Sequence, residues 1–245
     1  MALRGTGAAI RYRVLYAVQY TVPYAEGGAG LKSMETLSVA NTRPDIILVN
    51  GPSSAGKTTI CHALQARLAT PYLRIGFDDF VFMAPERYYR GADTGRQDAR
   101  DDFTAAGVEM IVTTTTDPAS GAAVTVATAK FGPVFRRLIE AMAPAVRALV
   151  DAGNAVIFDH VLHDRAMHES CERAFAGLDV FRVGVTCPID ILEARERARG
   201  DRVIGRARGL ADIVHSFGDY DVTVDTGQPD AERCVSEILA ALAVR

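Results

Sequence analysis

The chain has 245 residues, of which 49% are hydrophobic and 23% charged, with a formal net charge of -3. That length suits one sizeable α/β domain, the apolar content excludes wholesale disorder, and the slight acidic excess argues against a nucleic-acid partner. No apolar run approaches the ~20 residues that span a bilayer, so no membrane partner is expected. Cys61, Cys171, Cys187 and Cys234 stand far apart, without CxxC or histidine at zinc spacing. They read as buried free thiols suited to a reducing cytoplasm.

Residues 1–44 read as an N-terminal extension outside the fold. In "RYRVLYAVQYTVPYAEGGAG" the tyrosines Tyr12, Tyr16, Tyr20 and Tyr24 recur every fourth position, a spacing that fits a helical stripe or one face of a strand. Arg11, Arg13 and Gln19 interrupt the apolar core that a secretory signal needs. A mobile extension, or a leader ahead of a natural start at Met34, is the expectation.

From Asp45 to the end, strand and helix alternate, which predicts a parallel sheet covered on both faces over residues 45–245. "DIILVN" is a continuous apolar run suited to a strand buried on both sides. The next residues, Gly51 to Thr58, match G-x-x-x-x-G-K-S/T at every fixed position. Small residues there let backbone N–H groups turn inward around phosphates, and the helix that follows adds partial positive charge. Gly51, Ser53, Ser54, Ala55, Gly56, Lys57, Thr58 and Thr59 are the candidate nucleotide-binding residues. Lys57 has the reach for the β- and γ-phosphates, and the Thr58 hydroxyl suits Mg²⁺, so ATP and Mg²⁺ are the expected cofactors. A helix predicted over Thr59–Leu68 puts Ile60, Leu64 and Leu68 on one face.

"PYLRIGFDD" reads as a second strand ending in two acids at the carboxyl edge, where α/β sites assemble. Asp78 is the candidate base for an attacking hydroxyl and Asp79 the fallback; the competing reading is that the pair caps the next helix. The alternation breaks between Arg90 and Gly132. "VEMIVTTTT", "DPASG" and "AAVTVATAK" predict a β-hairpin outside the core sheet, an insert of about 90–131 placed to wall off a substrate pocket.

"PAVRALVDAGNAVIFDHV" predicts a helix, a Gly-Asn stop and a third strand, Ala155 to Val161. Asp159 ends that strand at the same edge and is the second candidate Mg²⁺ residue, unless it is a buried acid satisfied by backbone N–H groups. His160, His163 and His168 lack a further ligand and read as ordinary polar residues. "DVFRVGVTC" is the fourth strand. After it, "PIDILEARERARGDRVIGRARG" concentrates Arg195, Arg197, Arg199, Arg202, Arg206 and Arg208. Such a run is ordinarily a solvated face with i,i+4 pairs such as Glu193 with Arg197. The break at Gly200 and Asp201 instead suits a lid over residues of about 195–209, with Arg199 and Arg202 offsetting charge on a transferred phosphoryl group and the other arginines on the surface. "YDVTVDT" is the fifth strand, "VDTGQPD" after it suits either a backbone laid against adenine or a plain strand-to-helix turn, and "DAERCVSEILAALAV" is a closing amphipathic helix.

An N-K-x-D guanine signature is absent, and so is the apolar strand ending in paired acids that motor ATPases carry. A small kinase with a hydroxyl acceptor remains. Together "IILVNGPSSAGKTT", "LRIGFDDF", "FGPVFRRL", "GNAVIFDHV", "LDVFRVGVTCP", "EARERARGDRVIGRARG" and "VHSFGDYDVTVDT" resemble the chloramphenicol phosphotransferases, in the family's order, across nearly all of 46–242. The resemblance implies a P-loop kinase fold, a three-layer αβα sandwich with a five-stranded parallel sheet. It also implies ATP-dependent phosphorylation of a primary hydroxyl on chloramphenicol, with the family's catalytic aspartate on Asp78, its loop lysine on Lys57 and its lid arginines on Arg199 and Arg202. The chain departs from the family in its first 33 residues and in the longer segment from Tyr88 to Lys130, which is expected to shape the acceptor pocket. Two alternatives stand beside this reading: a kinase of another hydroxylated metabolite, and a nucleotide-binding protein that transfers nothing.

Overall fold

The structure, a computed structural model, describes residues 43–89, 102–118, 120–200, 203–211, 213–228 and 230–245. The N-terminal extension up to residue 42, the first part of the insert, Asp201 and Arg202 lie outside the described residues. The elements in chain order are β1 (Ile46–Asn50), α1 (Lys57–Arg67), β2 (Tyr72–Gly76), α2 (Phe77–Val81), a 3-10 turn at Glu86–Tyr88, α3 (Asp102–Ala106), β3 (Val108–Thr116), β4 (Ala123–Phe131), α4 (Pro133–Asp151), β5 (Ala155–His160), α5 (Arg165–Ala174), β6 (Val180–Thr186), α6 (Ile189–Arg199), α7 (Arg206–Ala211), β7 (Val222–Asp225) and α8 (Ala231–Ala243).

Five strands form one parallel sheet in the order β2-β5-β1-β6-β7. Alternation along β1 divides the core. Ile46 and Leu48 face α4 and α5, where Phe135, Ile139, Met142, Val146, Met167 and Cys171 are buried. Ile47 and Val49 face α1 and α8, with Ile60, Leu64, Cys234 and Ile238. Each such side chain contributes about 1.5–3 kcal/mol on leaving water. The three-layer sandwich expected from the alternating pattern is therefore what the chain forms. Four free cysteines fit the same reading; Cys61, Cys171 and Cys234 are buried and Cys187 is half-buried.

Helices α4 and α5 differ from the sequence expectation. α4 starts at Pro133 and runs through Pro144, eleven residues before the predicted start. Proline ordinarily breaks a helix because it frees the carbonyl four residues earlier. Pro144 is on the exposed face, where that carbonyl is open to solvation, while the stripe from Phe135 to Val146 anchors the opposite face. Helix α5 was not anticipated; its signal was Asp164, whose carboxylate caps it by accepting from the Met167 N–H at 2.9 Å.

The hairpin β3–β4 forms as expected, with nine registered pairs and a turn closed by Asp117 and Ala122. Its location is a correction. None of its described residues lines the main cavity. β4 packs instead on α7: the Ala127 N–H donates to the Gly205 carbonyl at 3.0 Å. A Cβ on Gly209 would lie 2.3 Å from the Ala127 carbonyl oxygen, so this contact requires glycine. Arg208 then ties the hairpin turn to α6, donating to Asp117 and Glu193 at 2.6 Å each. Arg208 was expected on the surface; it is the strut between the hairpin turn and α6.

Candidate active site

The phosphate loop is shaped by two residues in left-handed conformation, Ser54 at φ 65° and Gly56 at φ 84°. This geometry turns the loop into α1, whose first N–H groups have no intrahelical acceptor and point toward the cavity. The buried Lys57 ammonium donates to the Pro52 carbonyl at 3.0 Å and so folds back over the loop. Thr226 secures the loop from behind, donating through Oγ1 to the Ala55 carbonyl at 2.8 Å. The Ser54 hydroxyl is buried without a hydrogen-bond partner among the described residues. An unpaired buried hydroxyl beside converging N–H groups fits a phosphate oxygen, so the loop has the chemistry for a nucleotide tail.

A cavity of about 800 Å³ opens over this loop. Of the candidate nucleotide residues, Ser53, Ser54, Gly56, Lys57, Thr58 and Thr59 line it, whereas Gly51 and Ala55 sit behind the loop. At one end Arg195, Ala198, Arg199, Thr226, Gln228 and Asp230 close around it; at the other stand Gly76, Phe77, Asp78, Val161, His163, Arg206 and Leu210. The Gly200 cap at φ 66° ends α6 at the break seen in the sequence and leaves Arg199 on the cavity.

The two acids of "GFDD" separate. Asp79 caps α2, its Oδ2 accepting from the Gly76 N–H at 2.6 Å, and it also pairs with Arg74 at 2.9 Å. Asp78 lines the cavity. Asp159 lies opposite Gly76 in the β2–β5 register, and its Oδ2 accepts from the Thr58 hydroxyl at 2.7 Å. The reading of Asp159 as an acid met only by backbone N–H groups does not hold. A hydroxyl and a carboxylate oxygen this close suit Mg²⁺, a hard cation that takes few protein ligands and keeps waters and phosphate oxygens.

Several cavity residues were missed in the sequence. Arg195 and Arg206, expected on the surface, line the cavity; Arg195 also donates to the Thr226 carbonyl at 2.7 Å. Arg74 lines it too, between Asp79 and Asp159, the latter at 3.8 Å. Its signal was a charged residue inside a strand, two positions before the edge glycine. Arg197 is the exposed i,i+4 partner of Glu193 that the spacing predicted, at 3.9 Å.

Glu196 looked like one more charge on a solvated helix, yet it is 1% exposed. Its carboxylate accepts from the N–H groups of Gly205 at 2.7 Å and Ala207 at 2.9 Å, joining α6 to the start of α7. Charge-assisted bonds of this kind contribute about 1.5–3 kcal/mol each, and truncation leaves two buried donors unmet. We expect Glu196→Ala to lower stability by about 3 kcal/mol in denaturant melts and to slow turnover through a loosened lid; an unchanged midpoint would contradict this.

His160 and His163 are not the ordinary polar residues that the sequence suggested. His160 stacks on Phe158 with ring centroids 4.5 Å apart and is 2% exposed. Burial first, and the Lys57 charge second, push its pKa from 6.5 down to about 3. Folded, it therefore binds fewer protons than the unfolded chain between pH 3 and 6.5. Its full stability is present above that window and is lost as pH falls through it, by up to about 1.4 kcal/mol per pH unit. His160→Phe should flatten the acid limb of a stability–pH profile; an unaltered slope would contradict the assignment.

A parallel five-stranded sheet with a phosphate loop after its central strand, a carboxylate on the neighbouring strand and an arginine-bearing helix pair above defines a P-loop kinase fold. The sequence profile described as "Chloramphenicol phosphotransferase-like protein" matches residues 44–243. The chain belongs to the chloramphenicol phosphotransferase-like family. It is 33% identical over 183 residues to a Mycobacterium tuberculosis H37Rv protein called "Putative O-phosphotransferase", covering 74% of each chain. Among solved structures it is similar to a sugar kinase from Janibacter sp. HTCC2649, at 18% identity and TM-score 0.52, covering 82% of this chain and 98% of that one. A gluconokinase from Sinorhizobium meliloti 1021 follows at 18% identity and TM-score 0.50, with 82% and 93% covered. These structural likenesses extend to the fold.

Proposed function

We propose that the protein is an O-kinase that phosphorylates a hydroxyl group of a small molecule, with chloramphenicol or a related antibiotic as the acceptor and inactivation of that compound as the result. The observation that carries this reading is one cavity lined by the loop lysine Lys57, the Thr58–Asp159 pair, Asp78 and Arg199. Family membership and the description of the M. tuberculosis relative as an O-phosphotransferase support it.

When bound, Mg·ATP supplies the transferable phosphoryl group and a divalent counter-charge. The loop N–H groups and Lys57 hold the phosphate tail in line, and Thr58 with Asp159 presents hard oxygens to the cation. Asp78 orients the acceptor hydroxyl and takes its proton as the new P–O bond forms. A free carboxylate of pKa about 3.9 is too weak to deprotonate an alcohol beforehand. Arg199, with Arg195 and Arg206 on the same cavity, offsets charge on the phosphoryl oxygens. Arg202, proposed for the same role, lies outside the described residues.

The test is acceptor-dependent ADP release across chloramphenicol, glucose, gluconate and an aryl propanediol. Strong release with chloramphenicol and weak release with the others supports the antibiotic reading. The reverse ranking keeps the kinase and replaces its acceptor.

A further inference from the structure

Within the acceptor end of the cavity, most polar side chains already have partners or a role at the phosphates. Asp79 is held by Gly76 and Arg74, and Asp159 by Thr58. His163 is different. Its imidazole packs in a three-ring cluster, with centroids 5.2 Å from Phe77 and 5.1 Å from Phe131, and it lines the cavity. Nε2 of this ring is buried and has no hydrogen-bond partner among the described residues. A buried imidazole nitrogen left unmet costs about 1–3 kcal/mol, and chains seldom retain that cost at a position where a phenylalanine would pack equally well.

We propose that His163 is an acceptor-binding residue: its imidazole hydrogen-bonds an uncharged polar group of the acceptor, a hydroxyl, amide or carbonyl, that sits beside the hydroxyl delivered to Asp78. This assignment rests on the kinase reading above.

The surroundings select the chemistry of that group. Burial, then the charges of Arg206, His160 and Lys57, hold the His163 pKa down at about 3. The ring is therefore neutral at physiological pH, with one nitrogen donating and the other accepting. The Arg206 and Lys57 charges that act on the ring repel a cationic acceptor group, while Phe77 and Phe131 against the ring, with Val161 and Leu210 on the cavity wall, offer apolar surface to a neutral one. A neutral imidazole framed by phenyl rings thus reads a neutral polar substituent, and the adjoining faces read the apolar scaffold that carries it. The hairpin contributes through Phe131, the last residue of β4, which meets the ring edge-on at an interplanar angle of 84°. By this route the hairpin influences acceptor choice although none of its described residues lines the cavity.

The experiment separates hydrogen bonding from packing. His163→Phe keeps an aromatic ring against Phe77 and Phe131 and removes both nitrogens; His163→Gln keeps a donor and an acceptor. Steady-state kinetics use whichever of chloramphenicol, glucose, gluconate and the aryl propanediol gives the greatest ADP release with the wild type. For His163→Phe the acceptor KM should rise at least about tenfold, the effect of one lost hydrogen bond of about 1.4 kcal/mol. The KM for ATP should stay within about twofold, and His163→Gln should recover part of the acceptor affinity. An unchanged acceptor KM in a folded His163→Phe would overturn the proposal, as would an equal rise in both KM values. Should His163→Phe not fold, the ¹⁵N resonances of the wild-type His163 ring decide: they shift on adding that acceptor alone if the bond forms, and stay fixed if it does not. Absence of ADP release with every compound is a separate outcome, which sinks the kinase reading and this inference with it.

Discussion

Asp78→Ala should lower turnover at least about a hundredfold while ATP still binds, the loss usual for a positioned base in proton transfer. The carboxylate lines the cavity at the carboxyl edge of the sheet, and its neighbour Asp79 is already engaged as the cap of α2. Removing Asp78 therefore leaves the hydroxyl without an oriented proton acceptor while α2 keeps its N-terminal bond. Asp79→Ala supplies the contrast: it should reduce stability through the lost cap, by about 1 kcal/mol, with a smaller effect on rate. Wild-type turnover in Asp78→Ala would remove the residue from its role and point to Asp79 instead.

Lys57→Ala is the second large effect, and it should appear in two parameters. The ammonium is buried against the Pro52 carbonyl at 3.0 Å, inside the loop that it bridges. Its charge acts on bound phosphate and more strongly on the charge that develops during transfer, so both ATP affinity and rate should fall. A preorganised donor of this kind is worth about 2.7–4 kcal/mol of transition-state stabilisation, or roughly two to three orders of magnitude in rate. Isothermal titration with ATP and single-turnover kinetics separate the two components. Unchanged values in both would refute the assignment of the loop.

Much of this site was legible because its chemistry is local in sequence. The phosphate loop is eight consecutive residues whose types follow from backbone geometry, and strand ends mark the carboxyl edge where Asp78 and Asp159 meet. The hairpin announced itself through β-branched runs and a short turn. What escaped depends on contacts between distant segments. Glu196 has the composition of a surface helix and is buried because Gly205 and Ala207 present their N–H groups to it. Arg208 reads as one more lid cation until Asp117 in the hairpin turn meets it. The hairpin was placed against the acceptor because an insert beside an active site suggests a wall, whereas glycines at 205 and 209 let it close on α7. His160 and His163 look ordinary along the chain, and their aromatic environment comes from α2, β4 and β5 together. The middle of α4 misled because Pro144 signals a break at a position where water can meet the freed carbonyl.

The lid has a consequence for catalysis. Arg199 is carried by α6 and Arg206 by α7, and Glu196 with Arg208 fixes these two helices to each other and to the hairpin. In the proposed mechanism the arginines would therefore act from a braced frame, with little reorganisation as charge builds on the phosphoryl oxygens.

The central claim is that phosphate passes to a hydroxyl of a small molecule, and the mass of the acceptor after incubation with ATP and Mg²⁺ tests it most directly. We predict an acceptor heavier by one phosphate, formed in step with ADP and abolished in Asp78→Ala. ADP accumulating with no phosphorylated acceptor, or ATP bound tightly and left intact in the presence of every hydroxyl compound, would contradict the account.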